Sequence, residues 1–203
     1  MRKSPEVALI KTAASARDFP RGELPEVAAV GRSNVGKSSL LNRLVGVKGL
    51  AFVSKTPGRT QVANFFQVGS EFVLVDLPGY GFAKVPASVR RNWEALVTSY
   101  LFEREALALV LLLVDLRREP MENDLTVRDL LEEAELAYAI VATKADKVPR
   151  GRRQGALAKL RTAYGSAERA PIIPFSAVTN EGRKELWTRI EKQVRAARRP
   201  PRK

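Results

Sequence analysis

Short apolar runs that alternate with longer segments of helical periodicity leave this chain few folds to adopt. The runs are Glu26 to Val30, Asn64 to Val68, Phe72 to Asp76, Leu107 to Asp115, Ala137 to Thr143 and Ile172 to Phe175. Most are almost continuously apolar, as strands covered on both faces must be, and that burial requires helices above and below a mainly parallel sheet. Gly69 and Ser70 join the second and third runs too tightly for a crossover, so one edge strand is expected to run antiparallel. Helices are expected to start at Lys37, Ser88, Met121, Arg152 and Gly182. Val89, Trp93, Leu96, Val97 and Tyr100 recur at three- and four-residue spacing, as do Leu186, Trp187, Ile190 and Val194, which assigns both tryptophans to core-facing stripes. The expectation is an α/β domain with six strands, one of them an antiparallel edge, and about five helices.

The 203 residues, 45% of them apolar, suffice for one core. They divide into an N-terminal extension (1–25), a domain (26–196) and a basic tail (197–203). Near the N-terminus only Val7 to Ile10 is apolar, which is no secretory signal, and Ala106 to Val114 is half the length of a membrane span. A cytoplasmic protein without stable membrane insertion is expected. Cysteine and histidine are both absent, which excludes disulfides, thiolate or imidazole metal sites and a histidine base; any metal must be held by oxygen. A net charge of +13 points to a polyanionic partner, nucleic acid ahead of an anionic membrane.

Between the first strand and the first helix stands GRSNVGKSS, in which Gly31, Arg32, Ser33, Asn34, Val35, Gly36, Lys37 and Ser38 fit the pattern G-x-x-x-x-G-K-[ST], with Ser39 one step into the helix. In that context the pattern means a phosphate-binding loop. Its glycines let backbone N–H groups turn inward, Lys37 bridges the outer phosphates, and the Ser38 hydroxyl meets Mg2+ at the helix N-terminus. Asp76, Leu77, Pro78 and Gly79 end a buried strand forty residues on; Asp76 can hold the magnesium through a water and the Gly79 N–H can meet the terminal phosphate. A carboxylate there could equally cap a turn, but the upstream loop favours the phosphate role. Thr143, Lys144, Ala145 and Asp146 follow another buried strand. The Asp146 carboxylate can accept both the ring N–H and the exocyclic amine of guanine, a donor pair adenine lacks, while the Lys144 stem covers the ring. Phe175, Ser176 and Ala177 close the last strand, where backbone N–H groups can donate to the guanine carbonyl. GTP and GDP are therefore expected in preference to ATP, and an ATP-using phosphotransferase is disfavoured.

Four motifs in this order resemble the Ras-like, phosphate-loop GTP-binding proteins over residues 26 to 196. More narrowly, GRSNVGKSSLLNRL, SKTPGRTQVANFF, DLPGYGFAKVP and the TKADK and FSA segments resemble the EngB (YihA/YsxC) family of bacterial ribosome-assembly GTPases. The resemblance implies that the loop after the first helix, residues 45 to 63, carries a magnesium-binding threonine, matched by Thr60, with Gly58, Arg59, Gln61 and Val62 lining the nucleotide around it. It implies hydrolysis of GTP as a switch in assembly of the large ribosomal subunit, with links to division and septation. Catalytic roles fall on Lys37, Thr60, Gly79 and Asn34, and metal contacts on Ser38, Thr60 and Asp76. Ras-like switches place a water-orienting glutamine after the glycine of D-x-x-G, whereas this chain has Tyr80. Related GTPases share an asparagine at the position of Asn34 that can coordinate K+ beside the phosphates; the alternative is that Asn34 only shapes the loop.

Lys147, Arg150, Arg152, Arg153, Lys159 and Arg161 form a cationic run without an intervening acid, and residues 183 to 203 add nine cations against Glu185 and Glu191. Such imbalance favours docking on RNA phosphates, which the resemblance implies are those of ribosomal RNA in the large-subunit precursor, with steep salt dependence and no DNA partner. No aromatic RNA-reading pattern is present, so readout of base sequence is not expected. A nucleotide-regulated division or membrane-surface adaptor is the competing reading, and the tail offers it little apolar face beyond Ala196, Ala197, Pro200 and Pro201. A monomer is expected, since no exposed apolar seam is evident.

Overall fold

The computed structural model describes residues 5–47, 49–50, 62–81, 87–165 and 170–198. Seven strands form one sheet: β1 (Val7–Ala13), β2 (Glu26–Gly31), β3 (Ala63–Val68), β4 (Phe72–Asp76), β5 (Leu107–Asp115), β6 (Tyr138–Thr143) and β7 (Ile172–Pro174), in the spatial order β1-β3-β4-β2-β5-β6-β7. Five helices join them: α1 (Lys37–Val45), α2 (Ala87–Glu103), α3 (Glu122–Glu133), α4 (Arg150–Tyr164) and α5 (Arg183–Ala197). All lie within two residues of their expected starts. The six expected strands are present and the seventh, β1, comes from the segment read as an extension.

β1 pairs antiparallel with β3, and β3 antiparallel with β4, so β3 alone opposes the rest and β1 forms the edge outside it. The sequence signal for β1 was weak because an edge strand needs little burial: Leu9 is 56% and Ile10 43% exposed, while only Ala13 is buried. The inner strands alternate between two cores. Ala28, Val30, Val110, Leu112, Ile140 and Ala142 face α2, α3 and α4, with Tyr100, Leu131 and Leu160 beneath them. Val27, Ala29, Leu111, Leu113 and Val141 face α1 and α5, against Leu40, Leu44, Leu186 and Ile190. Both faces are thus dry, which explains why these runs lack polar alternation.

One charged side chain is buried at the amino end of the sheet. Glu26, 2% exposed, accepts from the Tyr100 hydroxyl at 2.8 Å and from Arg104 Nε at 3.0 Å and Nη2 at 2.5 Å. Charge pairing and a hydroxyl donor together satisfy the carboxylate. At the opposite end the parallel register aligns Ala29 with Asp76, Gly31 with Leu113, and Asp115 with Thr143. The carboxyl ends of β2, β4, β5 and β6 therefore open on a common rim, where ligands of open α/β sheets bind.

α1 and α5 are locked by side chains that serve the last carbonyls of α1. Arg183 donates from Nε to Arg43 O and from Nη2 to Leu44 O, each at 2.9 Å, and Trp187 Nε1 donates to Leu44 O at 2.9 Å. Those carbonyls have no partner within the helix, so the contacts supply what the helix end requires. Trp187 also meets Phe72 edge-on at 5.9 Å between ring centroids, in keeping with its core-facing assignment.

Candidate functional site

Gly31 ends β2 under a tight constraint: a Cβ there would stand 2.9 Å from Leu113 O. The chain then turns through Asn34 (φ 63°) and Gly36 (φ 109°) into α1. Only glycine takes the second of these without strain, and successive turns of this kind aim consecutive N–H groups at one point. Gly36 is the N-cap of α1 and provides no side-chain acceptor, so the first-turn N–H groups of α1 are presented to the rim.

The segment after β4 lies against this loop. Ser33 N donates to Tyr80 O at 3.0 Å, Tyr80 N to Gly31 O at 3.4 Å, and Leu77 N to Ala29 O at 3.2 Å. A Cβ on Gly79 would sit 3.2 Å from Ser33 Oγ. Lys37 Nζ pairs with Asp76 Oδ1, and both side chains are largely covered. Pro78 O accepts from Trp93 Nε1 at 2.8 Å, so Trp93, expected only as core, also holds this segment.

On the other flank the Thr143 hydroxyl donates to Val35 O at 2.6 Å. Lys144 adopts φ 59° and its Nζ donates to Asn34 O at 2.7 Å and to Asp115 Oδ2 at 3.0 Å. Ala145 N donates to Phe175 O at 3.1 Å, and the Ser176 hydroxyl to Asp146 Oδ1 at 2.7 Å. Ser176 Oγ in turn accepts from Val178 N and Thr179 N, both at 3.1 Å. Ala177 O accepts from Arg43 Nε at 2.7 Å. Lys37, Asp76, Lys144 and Asp146 are thereby gathered on one rim, with Lys144 spanning from the second flank to the phosphate loop. Val62 is half-buried just before β3, and Gly58, Arg59, Thr60 and Gln61 lie outside the described residues. Among the described residues no group of three or more acidic side chains is placed to hold a metal.

Three groups to which the sequence reading gave no role in the site belong to this neighbourhood. Asp115 ends β5 with 9% exposure and is clasped by Arg117, from Nε at 2.9 Å and Nη2 at 2.7 Å. Burial opposes its ionisation, but hydrogen bonds from Arg117 and Lys144 outweigh that and bring its carboxyl down to about 2. The other two are a pair: Tyr80 OH donates to Asp124 Oδ1 of α3 at 2.6 Å, both residues being buried. Burial and the adjoining carboxylate push the Tyr80 phenol well above its usual range, and burial raises Asp124 despite Tyr80 and the nearby Arg32. A cavity of about 210 Å3 runs beside the loop between Ser33, Asp115, Met121 and Tyr164. Asp115 carries the same signature as Asp76, a carboxylate closing an apolar strand, and could have been found by it. Asp124 could not, since only folding brings it to Tyr80.

The parallel sheet, its glycine loop and the motifs around one rim define a phosphate-loop GTPase. Residues 26–144 match the family model described as "50S ribosome-binding GTPase". The probable GTP-binding protein EngB of Syntrophotalea carbinolica is 50% identical over 182 residues, covering 90% of this chain and 87% of that protein. Its namesake in Geobacillus kaustophilus is 42% identical, covering 90% and 93%. The chain belongs to the EngB family of GTP-binding proteins. The fold itself is shared with the crystal structure of a probable GTP-binding protein engB (TM-score 0.69, 24% identity, 84% of this chain and 99% of that one). It is shared also with Era of Aquifex aeolicus bound to GDP·AlF4− (TM-score 0.68, 24% identity, 85% and 57%). Among the described residues no helix is long and apolar enough to cross a membrane.

Proposed function

We propose that this protein binds GTP across the rim and hydrolyses it to GDP and phosphate, acting as a switch on the large ribosomal subunit precursor. The observation that supports this most is the convergence of the Lys37 and Asp76 pair with the 143–146 segment, joined by the Lys144 bond to Asn34 O. N–H groups of residues 36–39, at the start of α1, receive the phosphates, Lys37 moves from Asp76 onto the outer phosphates, and Gly79 N–H meets the terminal one. Asp146 reads the guanine edge, held in place by the Ser176 hydroxyl. Ala177 lies alongside for the guanine carbonyl, and the Lys144 stem covers the ring.

The donor set fits Mg2+, with an oxygen-only chain, a hydroxyl at Ser38 on the first turn of α1 and the Asp76 carboxylate across from it; Thr60 completes the set. Held by these residues, the ion would supply positive charge beside the phosphates. Water attacks the terminal phosphorus in line with the departing GDP oxygen. Tyr80 takes no part in orienting that water, because its hydroxyl is committed to Asp124. Charge on the transferring group is met by Lys37 and the loop amides, and Asn34 would hold a potassium ion as a further counter-charge if it does more than shape the loop.

The basic surface supports an RNA-phosphate partner. Arg150, Arg152 and Arg161 are exposed, as is Lys147 beside Asp146 at 3.8 Å, whereas Arg153 is tied to Glu181 at 2.9 Å and Lys159 to Glu119. The family's link to division and septation would follow from subunit supply. Nucleotide-free protein titrated with GTP, GDP and ATP tests the central reading, with Asp146→Asn as the second arm. Guanine nucleotides should bind at least 100-fold more tightly than ATP, about 2.7 kcal/mol, and the variant should turn toward xanthine nucleotides. Equal binding of ATP and GTP would refute the assignment.

A further inference from the structure

Lys144 belongs to the motif read for guanine, yet two of the three N–H donors of its ammonium are taken by protein groups. It bridges a backbone carbonyl of the phosphate loop, Asn34 O at 2.7 Å, and a carboxylate at the end of β5, Asp115 Oδ2 at 3.0 Å. With the ammonium held by two acceptors at one end and the backbone at the other, the course of the four-carbon stem is restricted. A lysine without such anchoring loses rotamer freedom on binding a ligand, so fixing it beforehand lowers that cost.

Asp115 is built for this task. Its carboxylate is 9% exposed, its Oδ1 accepts from Arg117 N at 3.1 Å and Nε at 2.9 Å, and its Oδ2 is shared by Arg117 Nη2 and Lys144 Nζ. The fork of Arg117 fixes the carboxylate plane, and the backbone N–H fixes it relative to the strand end. Thr143 adds a second tie between the flanks, to Val35 O at 2.6 Å. Two successive residues of β6 and its exit thus hold two successive residues of the phosphate loop, and Asp115 supports the longer of the two ties.

We propose that Asp115, held by Arg117, is a positioning residue for nucleotide binding. It sets the Lys144 stem over the base and keeps the base half of the site in register with the phosphate half. The proposal rests on the reading of residues 143–146 as the guanine site. It also accounts for an aspartate at this strand end in a chain of net charge +13, where one carboxylate satisfies two cations that would otherwise repel each other.

The test follows release of a fluorescent GDP analogue by stopped flow from the full chain in four forms: wild type, Asp115→Ala, Lys144→Ala and the double variant. Asp115→Ala should release GDP about tenfold faster, a change of about 1.4 kcal/mol, and Lys144→Ala at least as fast. The double variant should release no faster than Lys144→Ala alone, because Asp115 acts through that lysine. Asp115→Asn keeps an acceptor within reach of Nζ and should recover at least half of the lost retention; it also decides the matter should Asp115→Ala fail to fold. Fast release from Lys144→Ala with wild-type release from both Asp115 variants would overturn the inference and leave the guanine site standing. Fully additive effects would reduce Asp115 to a structural role and overturn it too. Wild-type release from Lys144→Ala would remove the guanine-site reading itself.

Discussion

Tyr80→Phe deletes one hydroxyl and almost no apolar surface, which makes it a clean probe of the buried pair between the rim segment and α3. The phenol donates to Asp124 at 2.6 Å, and the two residues are 6% and 5% exposed. Removing a donor from a buried carboxylate costs about 1.5–3 kcal/mol, which lowers the melting temperature of a domain this size by roughly 3–10 °C. The pH dependence follows from the carboxyl. Burial already raises Asp124 above its unfolded value, with Tyr80 and Arg32 pulling the other way. The folded state therefore keeps a proton that the unfolded chain gives up, and this group's contribution is greatest at low pH and declines as pH rises through the window between the two values. Without the phenol the folded carboxyl rises further and the window widens. The variant's deficit should thus be largest near neutral pH and shrink as the pH is lowered into the carboxylate range, where Asp124 can accept a proton instead. Circular dichroism melts of both proteins across that range measure it. A neutral-pH deficit below about 1 °C, or one that grows toward acid, would refute the reasoning.

Two further outcomes concern the proposed partner and counter-ion. Replacing Arg150, Arg152 and Arg161 together by alanine should flatten the salt dependence of binding to ribosomal particles by roughly 0.7–0.9 for each phosphate no longer neutralised, while a matched assay on anionic liposomes stays near background; cosedimentation with GTP and with GDP reads both, and an unchanged slope would place the docking face elsewhere. For Asn34, exchanging potassium for sodium should slow GTP turnover in wild type and leave Asn34→Ala indifferent, and equal wild-type rates in the two salts would eliminate the cation.

The inner sheet was legible because β2, β5 and β6 are buried on both faces, and that burial wrote uninterrupted apolar runs into the chain. β1 was not, since an edge strand with Leu9 and Ile10 in solvent carries neither a run nor a strict alternation. The same contrast governs the site. Gly31 to Ser38, Asp76 to Gly79 and Thr143 to Asp146 are contiguous in sequence because each serves one strand end. The contacts that fasten those segments to one another are long-range: Lys144 reaches Asn34 across 110 positions, Thr143 reaches Val35 across 108, and Tyr80 reaches Asp124 across 44. Spacing rules cannot see such pairs. What a sequence can show is the residue type that makes them necessary: an acid ending an apolar strand needs a cation, and a tyrosine where related switches keep a glutamine needs an acceptor. Asp115 and Tyr80 both carry that mark: Asp115 ties the Lys144 segment to the end of β5, and Tyr80 ties the segment after β4 to α3. Pinning of this kind leaves less ordering for a nucleotide to impose when it binds, and on the role proposed for Asp115 the residues least visible as motifs tune the affinity of those most visible.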